Sequence, residues 1–188
     1  MAKSVRRIVT GHNKAGKSII LMDGPAPNAV SPPSVPQLVN TVLWITDDSP
    51  ASNRGDEDAS PKGRMLGIEP PGRGSVLRVV DFPPDKVFEG SDTRKMMEEV
   101  GGGHALDKGK ARHALFHKTN TVDYAIVLEG EIWAMLDEGE TLMRPGDVLI
   151  QRGTNHSWSN RSDQSCRIAF ILIDASRFDD VAAPNLSR

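Results

Sequence analysis

The stretch Phe116–Asn160, FHKTNTVDYAIVLEGEIWAMLDEGETLMRPGDVLIQRGTNHSWSN, decides the fold. Three β-prone runs stand out in it, Val122–Leu128, Glu131–Leu136 and Asp147–Gln151. Turn signals separate them: Glu129-Gly130, Asp137-Glu138-Gly139, Arg144-Pro145-Gly146-Asp147 and Arg152-Gly153-Thr154-Asn155. Glycine, proline and asparagine supply the backbone angles of tight turns, while the branched and aromatic residues between them suit pleated strands. Short strands at regular spacing, joined this way, predict an all-β sandwich or barrel. The polar residues are as informative as the turns. His117, Thr119 and Asp123 lie at the start of the first long strand, and His156 follows the last tight turn with Asn160 four residues later.

Two spacings in this stretch resemble the motifs of the cupin superfamily. His117-x-Thr119-x3-Asp123-x6-Gly130 follows the second half of the first cupin motif, H-x-H-x3,4-E-x6-G. Gly146, Gly153, His156 and Asn160 follow the second motif, G-x5-P-x-G-x2-H-x3-N, with Gln151 at the proline position and one residue fewer after Gly146. Thr119 stands where the motif has its second histidine, and Asp123 where it has glutamate. The resemblance spans roughly residues 110 to 175 and implies a double-stranded β-helix, the jelly-roll barrel of that superfamily. An N-terminal β-hairpin arm and one or two short helices would be added to it.

Residues i and i+2 of a strand share a face, so His117 and Thr119 point one way, as do His156 and Trp158. In the topology the resemblance implies, that way is inward. The inward set is then His117, Thr119, Asp123 and His156, in a barrel lined with Ala125, Val127 and Trp158. Two imidazoles and a carboxylate, His117, Asp123 and His156, make the ligand count of a 2-His-1-carboxylate site for Fe, Mn, Ni or Zn. Thr119 would orient a bound water or substrate oxygen. The open alternative is a metal-free pocket, in which the histidines hydrogen-bond to Asp123 or Thr119. Trp158 is expected to stack on substrate, whereas Tyr124, alternating with Asp123, should face away from the cavity. His113 is in phase with His117 but about 13 Å along an unbroken strand, so its expected place is the mouth of the pocket.

Composition bounds the rest. The 188 residues suffice for one domain with appendages and a real core. A net charge of −2 with scattered Lys and Arg gives no nucleic-acid footprint. A single cysteine, Cys166, excludes an intramolecular disulfide and fits a reducing compartment. No apolar run reaches membrane-spanning length, and MAKSVRRIVTGHNK lacks the apolar core of a signal peptide. The expectation is a cytoplasmic protein that contacts neither membrane nor nucleic acid, assembles as a homodimer and takes a small-molecule ligand or substrate.

The domain organisation expected is an N-terminal arm, connector and acidic loop over 1–63, the barrel over 64–175 and a tail over 176–188. Arg6–Thr10 and Ser18–Met22 read as a hairpin. Between them, Gly11-His12-Asn13-Lys14-Ala15-Gly16-Lys17-Ser18 matches the P-loop pattern G-x-x-x-x-G-K-[ST]. A P-loop needs a helix to start at Lys-Ser, so that its first amides face phosphate. Ile19-Ile20-Leu21-Met22-Asp23-Gly24-Pro25 leaves no room for one, so no nucleotide is expected and Gly16 serves a turn. Gly24–Pro36, with five prolines, reads as an extended connector without regular structure. Gln37–Thr46 reads as a strand with Val39, Thr41, Leu43 and Ile45 on one face and Leu38, Val42 and Trp44 on the other. Asp47–Gly63 reads as a solvated, mobile loop, and Met65–Glu69 with Ser75–Phe82 as a second hairpin. Ser91–Val100 carries helix signals, including a Ser or Asp cap and Gly101-Gly102-Gly103 beyond its end. Asp107–Arg112 reads as an exposed lid or connector, Cys166–Ile173 as a strand buried on both faces, and Asp174–Arg188 as a short helix and tail.

Two functions follow from the resemblance. One is a divalent-metal-dependent enzyme, an oxygenase, isomerase, decarboxylase or lyase acting on a small organic compound. The other is a metal-free, non-catalytic ligand-binding barrel.

Overall fold

The computed structural model describes residues 3–64, 66–107, 112–113 and 115–177. Its frame is a six-stranded antiparallel sheet. In chain order the strands are β1 (Arg6–His12), β2 (Ser18–Pro25), β3 (Asn28–Val30), β4 (Val39–Thr46), β5 (Ser75–Phe82), β6 (Thr121–Glu129), β7 (Ile132–Leu136), β8 (Glu140–Met143), β9 (Val148–Arg152), β10 (His156–Ser159) and β11 (Cys166–Asp174). The large sheet runs β3-β4-β5-β11-β6-β9, a second runs β10-β7-β8, and β1-β2 stand as a separate hairpin. The two main sheets bury an apolar core between them, with Ile132 and Ala134 from one and Val127, Ile168, Phe170 and Leu172 from the other. This is the all-β barrel expected.

β11 lies between β5 and β6 but is not buried on both faces as expected: Cys166, Ile168, Phe170 and Leu172 pack in the core, while Ile173 on the opposite face is exposed. Gly130 makes the turn into β7 at φ +76, and a Cβ there would lie 2.7 Å from the Ser165 carbonyl oxygen. No side chain fits, which is a physical reason for glycine at this motif position.

Several expectations need correction. The proline-rich connector is not wholly irregular, since β3 lies within it and pairs with β4. β4 slips register between Val42 and Trp44. One extra residue resets the alternation, so Val42 and Ile45 pack in a single cluster with Val76 rather than on opposite faces. The loop over 47–63 is not free throughout. Asp58 receives Arg7 Nη2 at 2.6 Å, and Ser60 is fully buried with its hydroxyl on the Val42 carbonyl at 3.0 Å. No strand forms over 66–69, so β5 pairs with β4 and β11 and not with a second hairpin partner. Met65 lies outside the described residues.

The Gly11–Ser18 segment is the β1–β2 turn, as expected. Asn13 Oδ1 accepts from the amides of Ala15 and Lys17 at 2.9 and 3.0 Å, and Gly16 has φ +72. The expected helix is α1 (Thr93–Glu99), capped by Asp92, whose carboxylate accepts from the Lys95 amide at 3.0 Å. Met96 and Met97 are its buried edge. Residues 108–111 of the expected lid and 178–188 of the expected tail lie outside the described residues. The residues flanking 108–111 are anchored: Asn155 donates to Asp107 at 2.7 Å, and Arg112 Nη2 to Glu140 at 3.1 Å. No helix among the described residues is long and apolar enough to cross a membrane.

Candidate functional site

His117 and His156 meet side by side in the barrel cavity. They form an isolated antiparallel bridge, each backbone N–H donating to the other's carbonyl at 2.9 and 3.0 Å. Residues paired in this way carry their side chains on one face, and the ring centroids lie 4.3 Å apart at 50°. The His117 Nδ1 lies 2.9 Å from the Leu115 carbonyl, and the His156 Nδ1 2.9 Å from the Thr154 carbonyl. A carbonyl can only accept, so both Nδ1 atoms carry the proton and both Nε2 atoms present a lone pair. Burial pulls the His156 imidazole down to about 3, with the neighbouring His117 adding to the effect. Burial also lowers His117. Both rings are therefore neutral acceptors near neutral pH.

They line one cavity of about 140 Å³ together with Thr119, Asp123 and Trp158. Thr119 shares a hydrogen bond with the Thr121 hydroxyl at 2.8 Å. Trp158 packs edge-on to Phe170 at 5.4 Å and to His156 at 5.9 Å, forming an aromatic wall with Phe82. Asp123 is 5% exposed, and its Oδ1 has no hydrogen-bond partner. Burial pushes its carboxyl up to about 6, an effect that the Thr121 hydroxyl and the Arg78 charge partly offset.

Ala125 and Val127 do not line this cavity. They have the inward parity expected, but parity sets the face of a strand and not the depth. Phe170 lies opposite Ala125 in register and reaches the cavity in its place, while Ala125 and Val127 pack in the core. His113 is not at the mouth either. Its Nδ1 lies 2.6 Å from the Ser157 hydroxyl, and Ser157 alternates with the cavity-facing His156 and Trp158. Residues 112–113 form a bend, which breaks the strand continuity assumed for that placement. Tyr124 faces away from the cavity, as expected, and is 37% exposed. Asn160, the last motif residue, is structural. Its Nδ2 donates to the Phe82 and Gln164 carbonyls at 3.1 and 2.8 Å, tying β5 to the turn before β11.

The three residues expected to ligate a metal share the cavity but do not close around a common point. Among the described residues, no three His, Cys, Asp or Glu side chains are grouped to hold a metal ion. The imidazoles fit such a role, because a ligating histidine characteristically fixes its other nitrogen on a carbonyl. The carboxylate does not fit: the charge acting on Asp123 is the buried Arg78 guanidinium, which disfavours a cation beside it.

Other cavity residues carried no motif. Arg78 and Asn40 come from β5 and β4, and Met96 and Met97 place α1 over the cavity. Arg78 had a signal, since in SVLRVVDF it alternates with Val76, Val80 and Phe82 and is the charged member of an otherwise apolar face.

The barrel, its paired histidines and the motif glycines define a cupin, and the chain belongs to the cupin superfamily. The cupin domain family model matches residues 104–173. The chain is similar to phomopsin biosynthesis cluster protein C' of Diaporthe leptostromiformis, with 31% identity over 185 residues, covering 92% of this chain and 80% of that protein. It is also similar to the cupin-domain-containing oxidoreductase virC of Hypocrea virens, with 28% identity over 181 residues, 93% of this chain and 77% of the relative. Among solved structures, a cupin 2 conserved barrel domain protein from Salinispora arenicola matches at 15% identity with a TM-score of 0.34, over 54% of this chain and 64% of that one.

Proposed function

We propose that the protein is a small-molecule cupin enzyme whose barrel takes a compact, largely apolar compound bearing a hydroxyl or carbonyl group. The observation that carries this reading is a cavity with apolar walls into which buried polar atoms point without partners. His117 and His156 each bond a carbonyl through Nδ1 and so turn the lone pair of Nε2 to the cavity, and two buried acceptors of the lining, Asp123 Oδ1 and Asn40 Oδ1, have no hydrogen-bond partner. Each such group costs about 1–3 kcal/mol while unpaired, so a ligand that pairs them gains what the empty barrel forgoes. Trp158, Phe82 and Phe170 would hold its apolar part.

The relative named as an oxidoreductase supports an enzymatic role. The part that this chain's side chains can perform is proton transfer. Asp123 would take a proton from the substrate, and the neutral imidazoles would accept hydrogen bonds from its hydroxyl groups. Met96 and Met97 would exclude water.

The test is ligand binding to the purified protein, before and after chelation. A compound of about ten non-hydrogen atoms at about 0.5 kcal/mol each binds with about 5 kcal/mol, a Kd of roughly 0.2 mM. At about 10 mM such a ligand stabilises the fold by about 2 kcal/mol, a rise in Tm of roughly 5 °C. A panel of aryl alcohols and ketones should produce this rise, and Leu38→Trp, which fills the cavity, should abolish it. If no compound binds the wild-type protein, or if Leu38→Trp binds as well as wild type, the barrel is not the site. If binding disappears on chelation and returns with Fe, Mn, Ni or Zn, the histidine pair acts through a metal, the second reading that its fixed tautomers favour.

A further inference from the structure

The cavity has a second polar element that proton transfer leaves unused. Arg78 is 5% exposed on β5, and its Nη2 donates to the Ile68 and Gly67 carbonyls at 3.1 and 3.3 Å. Its Nε–H is buried and has no partner. On the far side of β11, Asp123 presents its orphaned Oδ1 to the same cavity. Arg78 lies opposite Phe170 and Asp123 opposite Leu172 in the register of β11, so one intervening strand and a two-residue offset separate them. The backbones of β5 and β6 are thus about 10 Å apart, a gap that the long arginine stem partly spans.

Buried opposite charges in one sheet ordinarily close into a hydrogen-bonded pair, because an unpaired buried ion is expensive. This sheet does close one. Arg167 on β11 grips Asp81 on β5 through two bonds of 2.7 and 2.9 Å. Arg78 and Asp123 remain apart, with a bare donor on one and a bare acceptor on the other. Asn40 adds another buried, unpartnered acceptor, Oδ1, to the same lining.

We propose that Arg78 and Asp123 are a split ion pair closed by the ligand, which carries a carbonyl acceptor beside a hydroxyl or N–H donor, as in an amide or an α-hydroxy ketone. The carbonyl oxygen accepts from Arg78 Nε–H, and the adjacent donor gives its hydrogen to Asp123 Oδ1. The apolar remainder lies against Phe82, Trp158 and Phe170. A hydrocarbon leaves both ions bare. A simple ketone satisfies only Arg78, and a carboxylate brings a third charge against Asp123. The proposal rests on the barrel being the ligand site and narrows its occupant to a chemical class.

The experiment is titration calorimetry of the full chain with five probes of similar size: benzamide, 2-hydroxyacetophenone, acetophenone, ethylbenzene and benzoate. Benzamide and 2-hydroxyacetophenone should bind wild-type protein at least tenfold more tightly than the other three. Asp123→Asn and Arg78→Met should each reduce that preference to threefold or less. The wild-type ranking decides the matter even where a variant does not fold. Equal binding of all five shows the gap to be bridged by water and overturns the split pair while leaving the cavity a binding site. Tightest binding of benzoate makes Arg78 a plain anion site and also overturns it. No binding of any probe removes the pair and the barrel site together.

Discussion

Replacing Asp123 by asparagine tests the buried carboxylate through the pH dependence of stability. Burial raises this carboxyl from an ordinary 3.8 to about 6 in the fold. At about 1.4 kcal/mol per pH unit, ionising it in the native state costs about 3 kcal/mol more than in the unfolded chain. The sign follows from proton counts. Between pH 4 and 6 the native protein holds the proton and the unfolded chain has released it, so stability falls as pH rises through that window. The native state is favoured by its tighter proton below pH 4, and the advantage is gone above about pH 7. Asparagine does not titrate, and the other ionisable groups are common to both proteins. The difference in unfolding free energy, Asp123→Asn minus wild type, should therefore climb by about 2 kcal/mol from pH 4 to pH 7 and then level off. Its absolute offset depends on how asparagine packs beside Arg78, so only the climb is informative. Urea unfolding of both proteins in EDTA, followed by tryptophan fluorescence across that range, measures it. A flat difference curve, or one that descends with pH, would refute the claim that this carboxylate is buried without adequate partners.

Three further outcomes follow from other parts of the fold. Asp81→Ala leaves Arg167, 8% exposed, without its bidentate partner and should cost about 3–5 kcal/mol; a loss below 1 kcal/mol in urea unfolding would show the pair to be solvated. Burial pushes the Cys166 thiol up to about 12, so it should not react with a disulfide reagent at pH 8 until the protein is unfolded, and rapid labelling of the native protein contradicts its placement in the core. The outward face of β6, β9 and β11 aligns Tyr124 with Ile150 and Ile171 in register, with exposed Val148 beside them. If a second copy of this chain covers that apolar face, β9 being a sheet edge, one patch facing itself makes a two-fold interface. Ile150→Glu should then convert a dimer to a monomer in light scattering coupled to gel filtration, and a wild-type monomer at working concentrations ends that assignment.

The barrel was legible because its strands are short, its turns are chemically explicit and its apolar positions alternate. β6, β7 and β9 appear within one or two residues of their expected bounds. β8 (Glu140–Met143) was not anticipated, since ETLM offers four residues with one small apolar pair and owes its strand to pairing with β7. β3 was hidden by the surrounding prolines for a related reason. Three residues bond to the neighbouring β4, and such edge pairing is set by the partner more than by local propensity. The bulge in β4 is another effect of partners: nothing in VNTVLWIT marks Leu43 as the residue that loses its place.

The site was most legible where motif spacing and strand parity spoke together. His117, Thr119, Asp123 and His156 reach the cavity at positions set by both, and Trp158 follows by sharing a face with His156. Parity alone misplaced Ala125 and Val127, and spacing alone suggested a triad that the fold does not close. The residue that reorders the chemistry is Arg78, which belongs to no motif and lies almost forty residues before His117. Its strand pairs with β11, and β11 pairs with β6, so Arg78 and Asp123 come to one cavity only by way of a third strand. No local pattern in the chain encodes a relation of that kind. An arginine at core parity is nonetheless a signal in its own right, because a buried guanidinium must be compensated. In this barrel the protein supplies two backbone carbonyls and leaves Nε bare, which points the compensation toward whatever enters the cavity.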